Sequence, residues 1–188
     1  MIHNHEDIAN DLNDYFSDLL KEPSIDRVRA IREITNNIHV IFNQDHNKML
    51  LRKITMRGVE EAIMTMPNRE APGPNGFTTD FYKACWPFIK EEVHALVEES
   101  MVNKSVLRAL NATFLTLIPK EEGVDSPDRF RPISLCNVIY RIISKVLTNR
   151  IKTILPLLIS SNQLGYVEGR QILDIIILSH ELIHSVKS

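Results

Sequence analysis

Arg129-Phe130-Arg131-Pro132-Ile133-Ser134 is the stretch from which the fold can be worked out. Alternate residues of a strand point to opposite faces, so a strand here would place Arg129 and Arg131 on one face and Phe130 on the other. Pro132 disfavours the helical conformation for the residue before it, which keeps Arg131 on extended backbone. A guanidinium offers planar, bidentate donors and stays charged near neutral pH, so this arrangement suits a phosphate. Two solvated arginines on an exposed strand edge are the alternative interpretation.

The residues just upstream predict the partner strand. The run 112–120 reads Ala-Thr-Phe-Leu-Thr-Leu-Ile-Pro-Lys, which favours a strand that its proline can end. The polar segment 121–128 contains a glycine and a proline, a composition typical of a loop between antiparallel strands. The sequence therefore predicts a small antiparallel β-hairpin that carries Lys120, Arg129 and Arg131.

Helical spacing of apolar residues dominates the rest of the chain. Thr55 and Asn137 are predicted N-caps of two helices, and Pro87 should interrupt a third, because proline lacks the N–H that a helix interior needs. The fold class predicted is α+β, mostly helical with one small hairpin. The predicted helical segments are 8–19, 25–41, 56–66, 79–97, 138–155 and 172–186.

Two irregular segments are rich in glycine. The run 72–76 reads Pro-Gly-Pro-Asn-Gly, which forbids regular structure and predicts an ordered loop that Phe77 would pin to the core. The run 160–170 reads Ser-Ser-Asn-Gln-Leu-Gly-Tyr-Val-Glu-Gly-Arg and ends on Arg170 beside a new helix. Its two glycines allow the backbone to approach a ligand closely.

The net charge of −2 hides an uneven distribution. Residues 1–103 contain 11 basic and 17 acidic side chains, whereas residues 104–188 contain 11 and 7. Attraction depends on charge within a Debye length of about 10 Å, so the basic second part could hold nucleic acid. Arg141 and Lys145 are four residues apart and share a helix face that could line a strand of nucleic acid. A solvated helix face is the alternative.

Composition also excludes several classes of protein. The 188 residues are 44% hydrophobic, which suffices for one core, and no apolar run approaches the roughly 20 residues that span a bilayer, so no membrane partner is expected. Two cysteines without a signal peptide indicate an intracellular protein, nuclear or cytoplasmic. The cluster His3, His5, Glu6 and Asp7 lies at a terminus without a second cluster, so we expect it to be solvated rather than to bind a metal.

Four short motifs follow one another along the chain. They are Ala71-Pro72-Gly73-Pro74-Asn75-Gly76-Phe77, Leu117-Ile118-Pro119-Lys120, Arg131-Pro132-Ile133-Ser134-Leu135, and the segment from Gln163 to Gly169-Arg170. In this order they resemble the N-terminal motifs of a reverse transcriptase of LINE-type (non-LTR) retrotransposons, particularly those of plants. The likeness covers most of the chain and is weaker in its first helical part.

Two positions depart from the pattern of that family. Glu70 stands where the family usually has lysine, which reverses the local field and puts a phosphate contact at this place in doubt. Asn75 stands where the family has aspartate. Asparagine tolerates turn geometry much as aspartate does, so the turn should survive although a charge is lost.

The resemblance implies a polymerase fingers-like subdomain, with a helical region at 1–54 and a partial reverse transcriptase domain at 55–188. It implies that Lys120 and Arg131 contact the phosphates of the incoming deoxynucleoside triphosphate. The other partner implied is RNA or an RNA/DNA template-primer. It places the segment with Gln163, Gly165, Gly169 and Arg170 near the template. The basic charge of the second part of the chain adds three candidate template contacts, Arg129, Arg141 and Lys145.

The resemblance also implies what this sequence lacks. The family holds Mg²⁺ with carboxylates of a Phe-x-x-x-Asp-like motif and a Tyr/Phe-Ala-Asp-Asp motif, both on palm strands after the Gly-Arg segment, and neither occurs here. We therefore expect a missing palm, no catalytic or metal-binding residue, no activity of the chain alone, and self-association through an uncovered apolar face of 172–186. A non-catalytic nucleic-acid-binding remnant and a helical interaction protein are the alternatives.

Overall fold

The computed structural model of the chain describes residues 4–21, 26–35, 43–160, 163, 167 and 169–187. These residues form eight α-helices and a two-stranded antiparallel hairpin, so the mostly helical α+β class is confirmed. The helices are α1 His5–Leu20, α2 Arg27–Thr35, α3 Gln44–Leu50, α4 Met56–Met64, α5 Thr79–Val102, α6 Val138–Lys152, α7 Leu155–Leu158 and α8 Ile172–Lys187. The strands are β1 Thr113–Pro119 and β2 Phe130–Cys136.

The chain divides into two compact units. The first unit comprises Met1–His39 and Thr113–Leu135, and the second comprises Val40–Ala112 and Cys136–Ser188. The first unit therefore contains α1, α2 and the hairpin apart from its last residue. In this unit α1 contacts the 3-10 turn Pro127–Arg129 that precedes β2.

The core of the second unit lies among α4, α5 and α6. Val59 of α4, Val97 of α5 and Ile142 of α6 are fully buried. Each such side chain stabilises the fold by about 1.5–3 kcal/mol relative to an exposed one. The predicted cap Thr55 is confirmed, because its hydroxyl accepts a hydrogen bond of 3.1 Å from the N–H of Gly58.

The prediction that Pro87 interrupts the helix at 79–97 is wrong. Helix α5 runs through 24 residues with Pro87 inside it, and its N-cap is Thr78, whose hydroxyl accepts from the N–H of Phe81. Trp86 and Val93, on either side of the proline in sequence, are only 4% and 3% exposed. Burial of both halves of the helix offsets the roughly 3 kcal/mol that an interior proline costs.

Two further predicted helices differ in extent. The prediction for 25–41 is described only over α2, none of whose residues is buried, and residues 25 and 36–41 lie outside the described residues. The prediction for 138–155 is met by α6, which ends at Lys152, while Pro156 falls in the first turn of α7. Proline is tolerated there because the first helical N–H groups have no intrahelical acceptor.

Helix α8 exposes apolar side chains along its length. Leu173, Ile176, Ile177 and Ile183 are 48–61% exposed. Among the helices that the structure describes, none combines the length and the apolar character needed to cross a membrane.

Candidate functional site

Asn137 fastens the Pro-Gly-Pro-Asn-Gly loop to the start of α6. Its side chain is 1% exposed, and its Oδ1 accepts a hydrogen bond of 3.0 Å from the backbone N–H of Asn75. Its Nδ2 donates to the carbonyls of Ala109 and Leu110, at 3.1 and 3.2 Å. Asn137 thus occupies the predicted N-cap position, but its side chain makes no capping hydrogen bond and joins two other segments instead.

Gly73 lies directly against the backbone that precedes α6. A Cβ at this position would meet the backbone N of Asn137 at 2.4 Å and the carbonyl carbon of Cys136 at 2.5 Å. Contacts this short with backbone atoms cannot be relieved by a side-chain rotation. The glycine is therefore required for close packing of the loop.

The turn in this loop survives with asparagine at position 75, as predicted. The N–H of Gly76 donates to the carbonyl of Gly73 at 2.9 Å, and Oδ1 of Asn75 accepts from the N–H of Phe77 at 3.2 Å. Phe77 is 45% exposed and stacks on Phe81 at the start of α5, with ring centroids 4.6 Å apart. Its ring also meets that of the buried core residue Tyr82 edge to face, with centroids 6.4 Å apart, so Phe77 contacts the core as predicted while part of its surface stays exposed. Gly73 and its backbone contacts hold the loop as well.

The first cation of α6 is engaged within the second unit. Nη1 of Arg141 forms an ion pair with Glu70, and Nη2 donates to the hydroxyl of the fully buried Thr79 at 3.2 Å. The Arg141 side chain is 25% exposed, and its Nε is buried without a partner. Glu70, which departs from the family pattern, therefore neutralises a predicted template-binding arginine.

Further along α6, two cations differ in their surroundings. Lys145 lies one turn after Arg141 and is half-buried, and among the residues that the structure describes its side chain has no hydrogen bond or ion pair. Arg150 donates from Nη1 to the carbonyl of Leu50 at 3.0 Å. Lys145 is therefore the cation of this pair that keeps its charge available.

Arg170 folds back on the backbone that precedes it. Its Nη1 donates to the carbonyls of Ser160 and Gln163, at 2.6 and 2.7 Å, and its Nη2 donates to the carbonyl of Ile159 at 3.2 Å. Three charge-assisted hydrogen bonds to carbonyls hold the guanidinium in one orientation. Arg170 is therefore held against the backbone of Ile159, Ser160 and Gln163.

The three remaining candidates of this segment are described unequally. Gln163 has an exposed side chain, and its backbone N–H donates to the carbonyl of Ser160 at 3.0 Å. Gly169 adopts a φ of 78°, a conformation that glycine reaches without strain. Gly165 lies outside the described residues.

In the first unit, the hairpin brings Lys120 and Arg129 into contact through their backbones. The N–H of Lys120 donates to the carbonyl of Arg129 at 3.0 Å, and Nζ of Lys120 donates to the carbonyl of Asp128 at 2.6 Å. The side chain of Arg129 forms an ion pair of 2.5 Å with Glu121. Arg129 therefore already has a carboxylate partner.

The predicted strand position of Arg129 is wrong. It belongs to the 3-10 turn Pro127–Arg129, and β2 begins one residue later. Pro127 has the fixed φ that suits the first position of a helical turn, and the hydroxyl of Ser126 donates to Asp128 at 2.7 Å. Only Arg131 of the two arginines therefore lies in β2.

Lys120 and Arg131 line one hollow with aromatic side chains of α1. We call it the cationic hollow and define it by Tyr15, Phe16, Lys120, Phe130 and Arg131. Phe16 is 5% exposed, and its ring meets that of Tyr15 edge to face with centroids 5.1 Å apart. Buried Phe16 thus fixes the half-buried ring of Tyr15 beside the two cations.

The charges around this hollow are partly balanced. A hydrogen bond from the hydroxyl of Ser126 is the main cause that lowers the pKa of Asp128 below its usual value, and the charges of Arg129 and Lys120 lower it further. Asp128 is therefore ionised at neutral pH and weakens the positive field of Lys120. The side chain of Arg131 is exposed and forms no hydrogen bond or ion pair with any described residue. Its guanidinium is the group of the hollow that is open to a phosphate.

Sequence reasoning missed Tyr15. It follows the stripe of apolar residues that predicted α1 but lies outside that stripe, so periodicity gave it no role. Only the contact between α1 and the turn before β2, more than 100 residues later in the chain, places it at the hollow. No local signal in the sequence could have found it.

The donor set of the described residues does not fit a magnesium site. They contain no group of three or more histidine, cysteine, aspartate or glutamate side chains that could hold a metal ion. Two carboxylates lie beside the cations of the hairpin. Glu121 forms an ion pair with Arg129, and Asp128 accepts a hydrogen bond from the hydroxyl of Ser126.

Comparison with known proteins gives three matches. Residues 118–188 match the profile of the family described as reverse transcriptase (RNA-dependent DNA polymerase). The Transposon TX1 uncharacterized 149 kDa protein of Xenopus laevis is 26% identical over 155 residues, which cover 82% of this chain and 12% of that protein. The Retrovirus-related Pol polyprotein from type-1 retrotransposable element R2 of Nasonia vitripennis is 33% identical over 108 residues, or 57% of this chain and 10% of that protein. The chain thus spans about a tenth of the length of these relatives.

Proposed function

Because the chain belongs to the reverse transcriptase family of non-LTR retrotransposons, we propose that it forms a fingers-like part of such an enzyme. In this proposal the cationic hollow binds the phosphates of a deoxynucleoside triphosphate or of a template-primer. The observation that carries the proposal is the position of exposed Arg131 and of Lys120 beside the ring of Tyr15. Cations next to an aromatic ring are the combination that binds phosphate and base together.

Each residue of the hollow has a separate task in this proposal. Arg131 donates two parallel hydrogen bonds to phosphate oxygens, since its guanidinium has no other partner among the described residues. Lys120 uses one of its three protons on the carbonyl of Asp128 and keeps the others for a second phosphate oxygen. Tyr15 offers a ring face on which a base or a sugar can lie.

The template contacts that we propose for the second unit rest on fewer groups. Lys145 supplies its available charge from α6. Arg170 holds the carbonyls of Ser160 and Gln163, both earlier in the chain, so that Gln163 and Gly169 can present amide and backbone groups to the template. The proposed contact of Gly165 rests on the resemblance alone. Arg129 and Arg141 each have a carboxylate partner, so their contribution to binding is smaller.

Bond formation in this family requires metal-binding carboxylates that this sequence does not contain. Nucleotide transfer by polymerases uses two divalent ions held by carboxylates. Neither carboxylate motif of the family occurs in the sequence, so we propose that the palm is supplied by other residues and that this chain alone does not extend a primer. The division into a helical region at 1–54 and a partial reverse transcriptase domain at 55–188 and the likeness to plant elements remain predictions.

The proposal is tested by titrating a labelled oligoribonucleotide at several salt concentrations, with binding followed by fluorescence anisotropy. Each phosphate contact on a single strand contributes about 0.7 to the slope of log affinity against log salt. Arg131→Ala and Lys120→Ala should therefore each reduce the slope by about 0.7. Tyr15→Ala should weaken binding by about 1–3 kcal/mol with the slope unchanged, and Tyr15→Phe should retain the affinity.

Arg57→Ala is the matched control, because Arg57 is an exposed arginine of the second unit that pairs with Glu61 at 2.8 Å. Its slope should equal that of the unaltered chain. An Arg131→Ala chain with an unaltered slope would show that the cationic hollow is not the phosphate site. A chain without any salt-dependent binding would favour the helical interaction protein instead.

A further inference from the structure

One hydrogen bond at the end of the hairpin fixes the register of its two strands. The N–H of Lys120 donates to the carbonyl of Arg129, so these residues stand opposite each other at a hydrogen-bonded position of the antiparallel ladder. Hydrogen-bonded pairs alternate along such a ladder with pairs that are not hydrogen-bonded. Three residues back along β1, Leu117 therefore stands opposite Pro132 in a pair of the second kind. The backbone groups of Leu117, and of Leu115 two residues earlier, point away from β2.

The two outer edges of the hairpin differ in what they can bind. The backbone of Pro132 points outward from β2, and proline has no N–H to donate, so this edge is closed to a further strand. The outer edge of β1 presents the N–H and C=O groups of Leu115 and Leu117. Within the described part of the chain, β1 has no neighbouring strand other than β2. Because unpaired backbone groups at a sheet edge are a template for another strand, β1 is the edge to which one can be added.

The sequence of β1 is nearly symmetric about its middle residue, Thr116. The strand reads Thr-Phe-Leu-Thr-Leu-Ile-Pro, with a leucine on each side of Thr116 and a large apolar residue one step further in both directions. An antiparallel second copy centred on Thr116 sets Leu115 opposite Leu117 and Phe114 opposite Ile118. The seven residues carry no charge, so no like charges repel each other across the pairing.

Helix α1 covers one face of the hairpin and leaves the other exposed. Leu115 and Leu117 line an apolar groove with residues of α1 that include the buried Phe16. Alternate side chains of a strand point to opposite faces, so Phe114 and Ile118 lie on the other face, where they are 57% and 46% exposed. Aromatic and β-branched side chains that stand opposite each other across two strands stabilise a sheet. Antiparallel pairing of two copies would therefore cover these exposed side chains with each other.

We propose that β1 pairs with β1 of a second copy of this chain, antiparallel and centred on Thr116, so that two hairpins form one four-stranded sheet. The contact is two-fold symmetric, and the same uncharged strand supplies both of its sides. Because the β2 strands with Pro132 then form the outer edges of the sheet, the pairing stops at two copies. This association does not depend on the proposed binding of nucleic acid.

Sedimentation equilibrium of the full chain, treated with nuclease so that no RNA joins two copies, tests the pairing. The average mass should rise with protein concentration from that of one chain to that of two, and it should do so at high salt as well, since β1 is uncharged. Thr116→Lys and Thr116→Glu each set two like charges opposite each other, which should weaken association by up to about fivefold. An equimolar mixture of the two variants should restore it, because opposite charges then face each other.

A cysteine at the two-fold axis tests the register. In a chain that also carries Cys85→Ser and Cys136→Ser, Thr116→Cys places two thiols in a pair that is not hydrogen-bonded, with Cβ atoms about 4.5–5.5 Å apart. Added glutathione disulfide should oxidise the two thiols to a disulfide between copies and be reduced to glutathione. Ser134→Cys in the same background is the matched control at the exposed outer edge of β2, and it should give no linked dimer above background.

Three results would overturn the proposal. The first is the mass of one chain at every concentration while the circular dichroism spectrum shows that the chain is folded. The second is cross-linking of Thr116→Cys that is no faster than that of Ser134→Cys. The third is association that Ile176→Lys abolishes and Thr116→Lys leaves unaltered, which would assign the contact between copies to the exposed side chains of α8.

Discussion

Replacement of Asn137 by alanine should destabilise the second unit more than its single amide group suggests. The side chain is 1% exposed and joins the N–H of Asn75 to the carbonyls of Ala109 and Leu110. A typical hydrogen bond contributes about 0.5–1.5 kcal/mol net, and a buried group left without a partner costs about 1–3 kcal/mol. Because Asn75 is exposed, water can replace part of the loss, so we expect a total of about 1–3 kcal/mol.

Urea denaturation followed by circular dichroism measures this loss. With a slope of about 2 kcal/mol per molar urea, the midpoint should fall by about 0.5–1.5 M. Asn149→Ala is the matched control, since it makes the same change at an exposed position of α6, where alanine favours the helix. A midpoint of Asn137→Ala equal to that of the control would refute the role of Asn137 as the fastening of the loop.

Three further predictions concern the same unit. Gly73→Ala should destabilise the fold more than Gly76→Ala, because a Cβ at position 73 would meet backbone at 2.4 Å, whereas a Cβ at position 76 would meet nothing within 4 Å and would cost only the strain of its φ of 77°. Thermal unfolding should therefore give Gly73→Ala the lower midpoint temperature, and the reverse order would contradict the clash. A double-mutant cycle of Glu70→Gln and Arg141→Gln, measured on the free energy of unfolding, should give a coupling energy of about 1 kcal/mol. The coupling should decrease with added salt because the two side chains are 37% and 25% exposed, and zero coupling at low salt would exclude a stabilising ion pair. Burial raises the pKa of the Tyr82 hydroxyl above its usual value of 10.0, so the stability that the neutral hydroxyl contributes is present below pH 10.0 and is lost as the pH rises through the raised value. The urea midpoint should therefore decline at alkaline pH, and Tyr82→Phe should reduce this decline. An identical decline in both proteins would show that other groups cause it.

The hairpin and the cap of α4 could be predicted because their signals are local. Alternating apolar residues end at a proline in β1, and Thr55 directly precedes the apolar spacing of α4. The turn that contains Arg129 could not be predicted from alternation alone. There the preference of Pro127 for the first position of a helical turn competes with the strand pattern and prevails.

The contacts that decide the candidate sites are long-range, so the sequence does not reveal them. Arg141 and its partner Glu70 are 71 residues apart, and Asn137 bonds to a residue 62 positions earlier. Counting the cations of α6 from the sequence therefore overestimates the positive charge that is available to a ligand, because Arg141 is paired with Glu70. The same limit applies to Tyr15, which reaches Lys120 and Arg131 only through the packing of α1.

Photochemical cross-linking of an oligoribonucleotide that contains 4-thiouridine, with the linked peptides identified by mass spectrometry, tests the central claim most directly. The account predicts cross-links to Tyr15 or Phe130. These cross-links should disappear when Arg131 is replaced by alanine, since the cationic hollow then loses the exposed guanidinium that binds phosphate. Links confined to residues 40–112 and 136–188, with none on α1 or the hairpin, would contradict it.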